Sequence, residues 1–140
     1  RTKIKHLICT NIQSIHLYAN LSSLEIFCSS FDKPLINLPR TLQRLTISHC
    51  YQFNSSINDL PGTLQSLTIY NCWAFNQPLD HLPNNLQSLK LCFCNSFNQP
   101  FDNLPNLKTL KLSSCNEFNH PITHLHEKIK SIMIHKIIKI

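Results

Sequence analysis

Leucine and isoleucine recur along this chain in the pattern L-x-x-L-x-L-x-x-C, and the pattern returns at a nearly fixed interval. Four copies keep the frame without a gap: Leu42/Leu45/Ile47/Cys50, Leu64/Leu67/Ile69/Cys72, Leu86/Leu89/Leu91/Cys94 and Leu107/Leu110/Leu112/Cys115. The L-x-L segment alternates apolar and polar residues, which is typical of a short strand with one buried face. A repeat of this kind predicts a stack of similar units rather than a set of independent elements.

A phenylalanine begins each repeat and defines its length. It occurs at positions 31, 53, 75, 97 and 118, so successive repeats are 22 residues long and the last step is 21. The segment F-N-x-P-L-x-x-L-P follows it, and prolines such as Pro78 and Pro83 disfavour a regular helix there. We therefore predict a leucine-rich-repeat-like solenoid. Its parallel β-sheet would form the concave face, and irregular proline-containing convex arms with little helix would connect the strands.

The two ends of the chain depart from the repeat. Residues 1–30 are predicted to form an N-terminal cap or a shortened repeat, 31–128 hold the repeats of about 22 residues, and 129–140 form a terminal capping strand or a truncated repeat. Strand-like alternation is present near both ends: Ile4/Leu7, Ile12/Ile15/Leu17 and Ile129/Ile132/Ile134. Atypical terminal repeats are usual in solenoids, because the end of a stack faces solvent.

The distribution of charge bears on the class of partner. The formal net charge is +6. Seven basic residues lie within 1–5 and 128–139, whereas 6–127 carry a net charge of −1. Lysine on a terminal strand hinders edge-to-edge aggregation, and nucleic-acid binding uses a continuous basic stripe, so this distribution disfavours a nucleic-acid partner. No apolar run approaches the roughly 18 residues of a membrane-spanning helix, so we expect no membrane association.

Five of the seven cysteines share one repeat position, three residues before the phenylalanine: Cys28, Cys50, Cys72, Cys94 and Cys115. We predict a column of buried structural thiols, because free cysteine behaves as a small apolar residue with a weak S–H donor. The alternative is a thiol- or metal-responsive column, although no C-x-x-C pair is present. Alternation predicts that Cys92 lies on the exposed strand face and Cys94 inside. An odd number of thiols favours a reducing, intracellular compartment such as the cytoplasm.

Polar residues of the return arms have structural explanations. An asparagine follows the repeat phenylalanine at positions 54, 76, 98 and 119, and Asp32 holds that place in the first repeat. We predict that this column bonds to the backbone of the neighbouring coil. The acids are spread one per coil, which leaves no pair for general acid–base catalysis, and no phosphate loop, nucleophile elbow or zinc-protease motif is present. We therefore expect no enzyme activity, no catalytic residue, no cofactor and no metal.

The exposed face of the predicted sheet is the candidate binding surface. Six residues on it or beside it are candidate contacts for a protein partner: Arg44, Thr68, Tyr70, Lys90, Phe93 and Lys111. Tyrosine, tryptophan and arginine are frequent interface anchors, and solenoids commonly bind through the concave surface. The other interpretation is a solvated sheet face, on which Trp73 and Phe93 pack only against their own loops.

The signature F-N-x-P-L-x-x-L-P-x-x-L-x-x-L-x-L resembles the FNIP repeat, a relative of the leucine-rich repeat. Its best copies begin Phe75-Asn76-Gln77-Pro78 and Phe97-Asn98-Gln99-Pro100, and the resemblance covers residues 31–134. Family members occur mainly in amoebae and in the large DNA viruses that infect them, and many look like F-box proteins whose repeats select a target for ubiquitin ligation. The resemblance implies a protein–protein interaction scaffold, as the target-recognition part of a ubiquitin-ligase adaptor or as a viral host-interaction protein. The alternatives are the thiol- or metal-responsive protein and weak nucleic-acid binding through the basic ends.

Overall fold

Seven parallel strands form one sheet in chain order in the computed structural model, which describes residues 6–102, 104–125 and 129–135. The strands are β1 (His6–Cys9), β2 (Ser23–Phe27), β3 (Arg44–Ser48), β4 (Ser66–Tyr70), β5 (Ser88–Cys92), β6 (Thr109–Ser113) and β7 (Ser131–His135). Within the described residues the helical elements are two short 3-10 turns, Ile15–Leu17 and Thr123–Leu125. The predicted parallel β-solenoid with almost no helix is confirmed.

The register of the sheet follows the sequence repeat. Leu45 pairs with Leu67, and Leu67 with Leu89, so equivalent residues of successive coils lie side by side. The step from β1 to β2 is shorter, since His6 pairs with Ser23 after only 17 residues. No helix in the described ranges combines the length and the apolar character that crossing a bilayer requires.

A stack of phenylalanine rings forms the spine of the core. The ring centroids of Phe53 and Phe75 are 5.8 Å apart, those of Phe75 and Phe97 6.0 Å, and those of Phe97 and Phe118 6.0 Å. The planes of these pairs lie within 9° of parallel. Leucine and isoleucine of the strands pack against this spine and are buried with it. Each coil therefore buries its apolar residues against the coils on either side, because a single coil is too small to form a core of its own.

The cysteine column lies inside the turn that follows each strand. Cys50, Cys72, Cys94 and Cys115 are buried, and Cys28 is partly buried. The Sγ of each buried thiol lies within 3.6 Å of a main-chain carbonyl oxygen in the preceding coil. The four thiols thus satisfy backbone acceptors at the turn, as predicted for structural cysteines.

The asparagine column forms a ladder along the return arms. The Oδ1 of Asn54 accepts the Asn76 N–H at 2.8 Å, and the Oδ1 of Asn76 accepts the Asn98 N–H at 2.9 Å. The same bond joins Asn98 to the Asn119 N–H, and Asp32 supplies the acceptor for the Asn54 N–H, each at 2.9 Å. The predicted backbone role of this column is confirmed.

The N-terminal segment corrects one prediction. Ile12/Ile15/Leu17 do not form a strand: residues 15–17 are a 3-10 turn in which Ile12 and Ile15 are buried and Leu17 is 71% exposed. Only nine residues separate Ile12 from Leu21, and a tight turn buries two isoleucines over that short distance. Leu7 lies in β1, whereas Ile4 and residues 136–140 lie outside the described residues.

Candidate functional site

One side of the sheet carries the residues that alternate with the buried leucines, and we call this side the open face. Its central row consists of one residue from each strand, in register from β1 to β7: Ile8, Glu25, Thr46, Thr68, Lys90, Lys111 and Met133. The row therefore changes character along the solenoid, from an acidic residue on β2, through two threonines, to two lysines on β5 and β6. Chemistry on this face is set by the variable residues, because the leucines of the repeat point into the core.

The residue after each of strands β3 to β6 has a left-handed backbone conformation. His49, Asn71, Phe93 and Ser114 have φ angles of 55 to 56°. The N–H of Phe93 donates forward to the carbonyl of Ser113 at 2.7 Å, and His49 and Asn71 make the equivalent bond to the next strand. Asparagine tolerates this conformation, whereas it strains a bulky residue such as phenylalanine by about 1 kcal/mol or more. The coil of β2 has no residue at this left-handed position: Cys28 directly follows Phe27, the last residue of the strand.

Aromatic side chains gather at this turn and form a continuous cluster, which we call the aromatic ridge. Its members are Phe27, His49, Tyr51, Tyr70, Trp73 and Phe93. The His49 ring lies 5.0 Å from that of Phe27 and 5.4 Å from that of Tyr70, and Tyr70 meets Phe93 edge-on at 5.6 Å. Tyr51 stacks on Trp73 at 4.7 Å. The ridge thus joins four successive coils through ring contacts.

Much of the ridge is open to solvent. Phe27 is 49% exposed, Trp73 50%, Phe93 39% and Tyr70 38%. The Trp73 Nε1 donates to the Asn71 Oδ1 at 2.6 Å, which fixes the orientation of the indole. The Nδ1 of His49 is buried without a hydrogen-bond partner, a further cost at this turn. Contiguous exposed aromatic surface of this kind marks interaction sites on soluble proteins.

Cys92 corrects a second prediction. It occupies the open face by register, between Tyr70 and Ser113, but it is buried rather than exposed. The alternation of residues along a strand predicts the side of the sheet on which a residue lies. It does not predict solvent exposure, because larger neighbouring side chains can cover a small one. Burial raises the pKa of the Cys92 thiol, and the nearby Lys111 opposes that rise only in part. Cys94 is inside, as predicted.

The structure brings some of the six predicted contact residues together. Thr68, Lys90 and Lys111 are neighbours in the central row of the open face. Tyr70 and Phe93 meet in the aromatic ridge. Arg44 begins β3, in the row of Ser66 and Ser88, and is separate from the lysine pair.

Four ridge residues were not among the six predicted contacts: Phe27, His49, Tyr51 and Trp73. Comparing equivalent positions of successive repeats could have identified these residues from the sequence. His49 shares its position with Phe93, and Tyr51 shares its position with Trp73, so a ring at either position of one coil predicts contact with rings in the next.

Two comparisons with known proteins found no match: no model of a known protein family matches the chain, and no curated protein matches it. In the described part of the chain, no three His, Cys, Asp or Glu side chains are grouped as a metal site. What the described arrangement offers chemically is a surface: exposed rings beside a row of polar and charged side chains.

Proposed function

We propose that this protein is a non-enzymatic protein–protein interaction scaffold that holds its partner on the open face and the aromatic ridge. The aromatic ridge is the observation that carries the proposal. If the turn after each strand were only a solvated loop, asparagine would be less strained there than histidine or phenylalanine, and the same chain has asparagine at Asn71. Strained, exposed side chains that the fold does not require are typical of sites selected for binding.

The resemblance to FNIP repeats supports a narrower role. The repeat signature suggests the target-recognition part of a ubiquitin-ligase adaptor, or a viral host-interaction protein, acting inside the cell. In either role the solenoid supplies a rigid surface, and its partner is recognised by the few residues that vary between coils. This narrower proposal rests on the repeat signature alone.

The alternatives have weaker support. The thiols of the buried column already donate to backbone carbonyls, which gives them a structural task without metal or redox chemistry. The predicted basic ends lie mostly outside the described residues; Lys130, which is described, is exposed. No observation on the described surface favours either alternative over protein binding.

The test is a comparison of partner capture by matched variants. Arg44→Ala, Tyr70→Ala and Lys90→Ala are combined in one protein, and Asp80→Ala with His81→Ala, on an exposed return arm, serve as the control. Partners are captured by affinity purification with cross-linking and identified by mass spectrometry, and binding is then measured with the purified partner. We expect the control to bind like the wild type and the triple variant to lose binding. Equal binding by the triple variant and the wild type would overturn the proposal.

A further inference from the structure

We propose that the open face of β5 and β6 is a carboxylate-binding site, and that the partner presents an acidic peptide segment to it. This inference rests on the proposed function, since it specifies the chemistry of the partner held on the open face. The two residues that carry it are Lys90 and Lys111.

The positions of the two lysines, side by side on adjacent strands, are unfavourable for the stability of the fold. Lys90 and Lys111 are register partners on adjacent strands, which lie about 4.8 Å apart. Like charges at directly opposite positions destabilise a sheet. No described acidic side chain forms an ion pair with either lysine. The acid of the same row, Glu25, lies three strands from Lys90 and accepts a hydrogen bond from the Ser48 hydroxyl at 2.8 Å.

The surroundings of the pair suit a carboxylate. A cavity of about 320 Å³ opens on this face, lined by Ser88, Lys90, Thr109, Leu110, Lys111, Ser131 and Met133. The three hydroxyl residues Ser88, Thr109 and Ser131 form one row in register, two residues before the lysine row, and they line the same cavity as the lysines. Charge-assisted bonds from ammonium donors to carboxylate oxygens are the strongest contacts such a site can make. The volume is at the small end for ligand sites, which fits one or two side chains of a peptide.

The site continues into the aromatic ridge. Phe93, the residue after β5, follows Lys90 by three residues, a distance of about 10 Å at the rise of a strand. An extended peptide has the same rise and its side chains alternate between two sides, so an aspartate or glutamate over the lysines places an apolar side chain, two or four residues away, against Tyr70 and Phe93. The proposed ligand is therefore an extended segment with an acidic residue and an apolar residue at this spacing.

A peptide fits the described surface better than a nucleic acid does. The basic pair is flanked in its row by Thr68 and Met133, with Glu25 farther along, so the row is not a continuous basic stripe. The rings of the ridge also engage each other, as in the stacked pair Tyr51 and Trp73, rather than standing apart as platforms for successive bases.

Selection from a phage-displayed library of random linear peptides tests the inference. The wild type is compared with Lys90→Glu/Lys111→Glu, with Tyr70→Ala/Phe93→Asn, and with Lys130→Glu, an exposed lysine outside the cavity that serves as the charge control. Enriched peptides are then synthesised and their affinities measured by fluorescence anisotropy. We expect acidic peptides with a nearby apolar residue, weakened about tenfold or more by the double charge reversal and unchanged by Lys130→Glu.

The other outcomes separate the two proposals. Enriched peptides that lack acids, and that bind through the ridge but not the lysines, would overturn the carboxylate site and leave the scaffold function standing. Peptides insensitive to both pairs of substitutions would overturn both. A labelled single-stranded RNA oligonucleotide that binds through the same lysines with a steep salt dependence, in place of acidic peptides, would overturn the inference in favour of a nucleic acid.

Thermal stability gives a readout that binding does not influence. Because Lys90 and Lys111 repel each other, Lys111→Glu should raise Tm while abolishing selection of acidic peptides. A lower Tm would show that Lys111 stabilises the fold, and the inference would then fail.

Discussion

Phe93 is the residue at which folding and binding make opposite demands. Its left-handed backbone conformation would suit asparagine, which stands at the equivalent place one coil earlier as Asn71. Its ring is 39% exposed and touches Tyr70 on the ridge, so it contributes less to the core than a buried phenylalanine does. The Phe93 ring is therefore better placed to contact a partner than to stabilise the core of the protein.

Replacing Phe93 with asparagine should separate the two properties. Relief of the left-handed strain, about 1 kcal/mol, offsets part of the lost ring contact and apolar burial, together about 2 kcal/mol, so the free energy of unfolding should fall by only about 1 kcal/mol. Urea denaturation measures the change, with Phe75→Ala as the control. Phe75 is fully buried in the spine, and its truncation should cost about 3 to 5 kcal/mol. A comparable loss in Phe93→Asn would mean that Phe93 belongs to the core.

The residues of this chain could be predicted from sequence to different degrees. The leucines and the four buried cysteines were predicted because each position recurs in every coil, and repetition averages out local exceptions. The aromatic ridge was predicted only in part, because it depends on the direction that a left-handed turn gives to His49 and Phe93. Cys92 was placed on the correct side of the sheet with the wrong exposure, and its register neighbours Tyr70 and Ser113 belong to other coils.

At the scale of elements, each return arm is tied to the next by one repeated hydrogen bond. The asparagine ladder connects Asp32, Asn54, Asn76, Asn98 and Asn119. Gln77 and Gln99 add a further bond in each of their arms by donating to the asparagine Oδ1 one coil earlier, that of Asn54 and of Asn76 respectively. The arms have no regular secondary structure of their own, so these side chains provide the order that a helix would otherwise give. Asp32 differs from the rest of the ladder because it carries charge.

The ladder should give the protein a measurable acid sensitivity through Asp32. The Asn54 N–H and the Ser55 hydroxyl both donate to its carboxylate, at 2.9 and 2.7 Å, and hold the pKa of Asp32 below its ordinary value. A lowered pKa gives stability that is present above the unfolded-state pKa of about 3.9 and is lost as the pH falls through the folded-state value. Asp32→Asn keeps the acceptor, as in the other coils, but removes the charge.

The expected result is a smaller loss of stability on acidification in Asp32→Asn than in the wild type. The two proteins should be compared by urea denaturation from neutral pH down to about pH 2, so that the acid end of the range lies well below the unfolded-state pKa. Asp80→Asn is the control, because Asp80 lies exposed on another arm outside the ladder. Parallel pH profiles for the wild type and Asp32→Asn would show that the charge on Asp32 does not contribute to stability.

At the scale of the whole molecule, stability is a sum over neighbouring coils. Each strand contacts the strands directly before and after it, and no contact between strands two coils apart is found within the described residues. Such a molecule behaves as a one-dimensional stack, in which the removal of one unit leaves the remaining interfaces intact. The fold could be predicted from the sequence because its unit is local; the partner could not, because recognition depends on residues that differ between units.

Deleting residues 75–96 tests this description. The deletion joins Ala74 to Phe97, which then takes the place of Phe75 in the spine, and the shortened chain should fold cooperatively. Its m value in urea should fall roughly in proportion to the surface removed. Because Lys90 and Phe93 are lost, selection of acidic peptides should disappear.

Deleting residues 31–52 instead provides the matched control. This deletion also removes one coil and joins Ser30 to Phe53, but it keeps Tyr70, Lys90, Phe93 and Lys111. The two shortened proteins should therefore have similar stabilities, and only the second should still select peptides that carry acidic residues. If either deletion leaves the chain unfolded by circular dichroism, the coils are not interchangeable and stability is not a sum over neighbours.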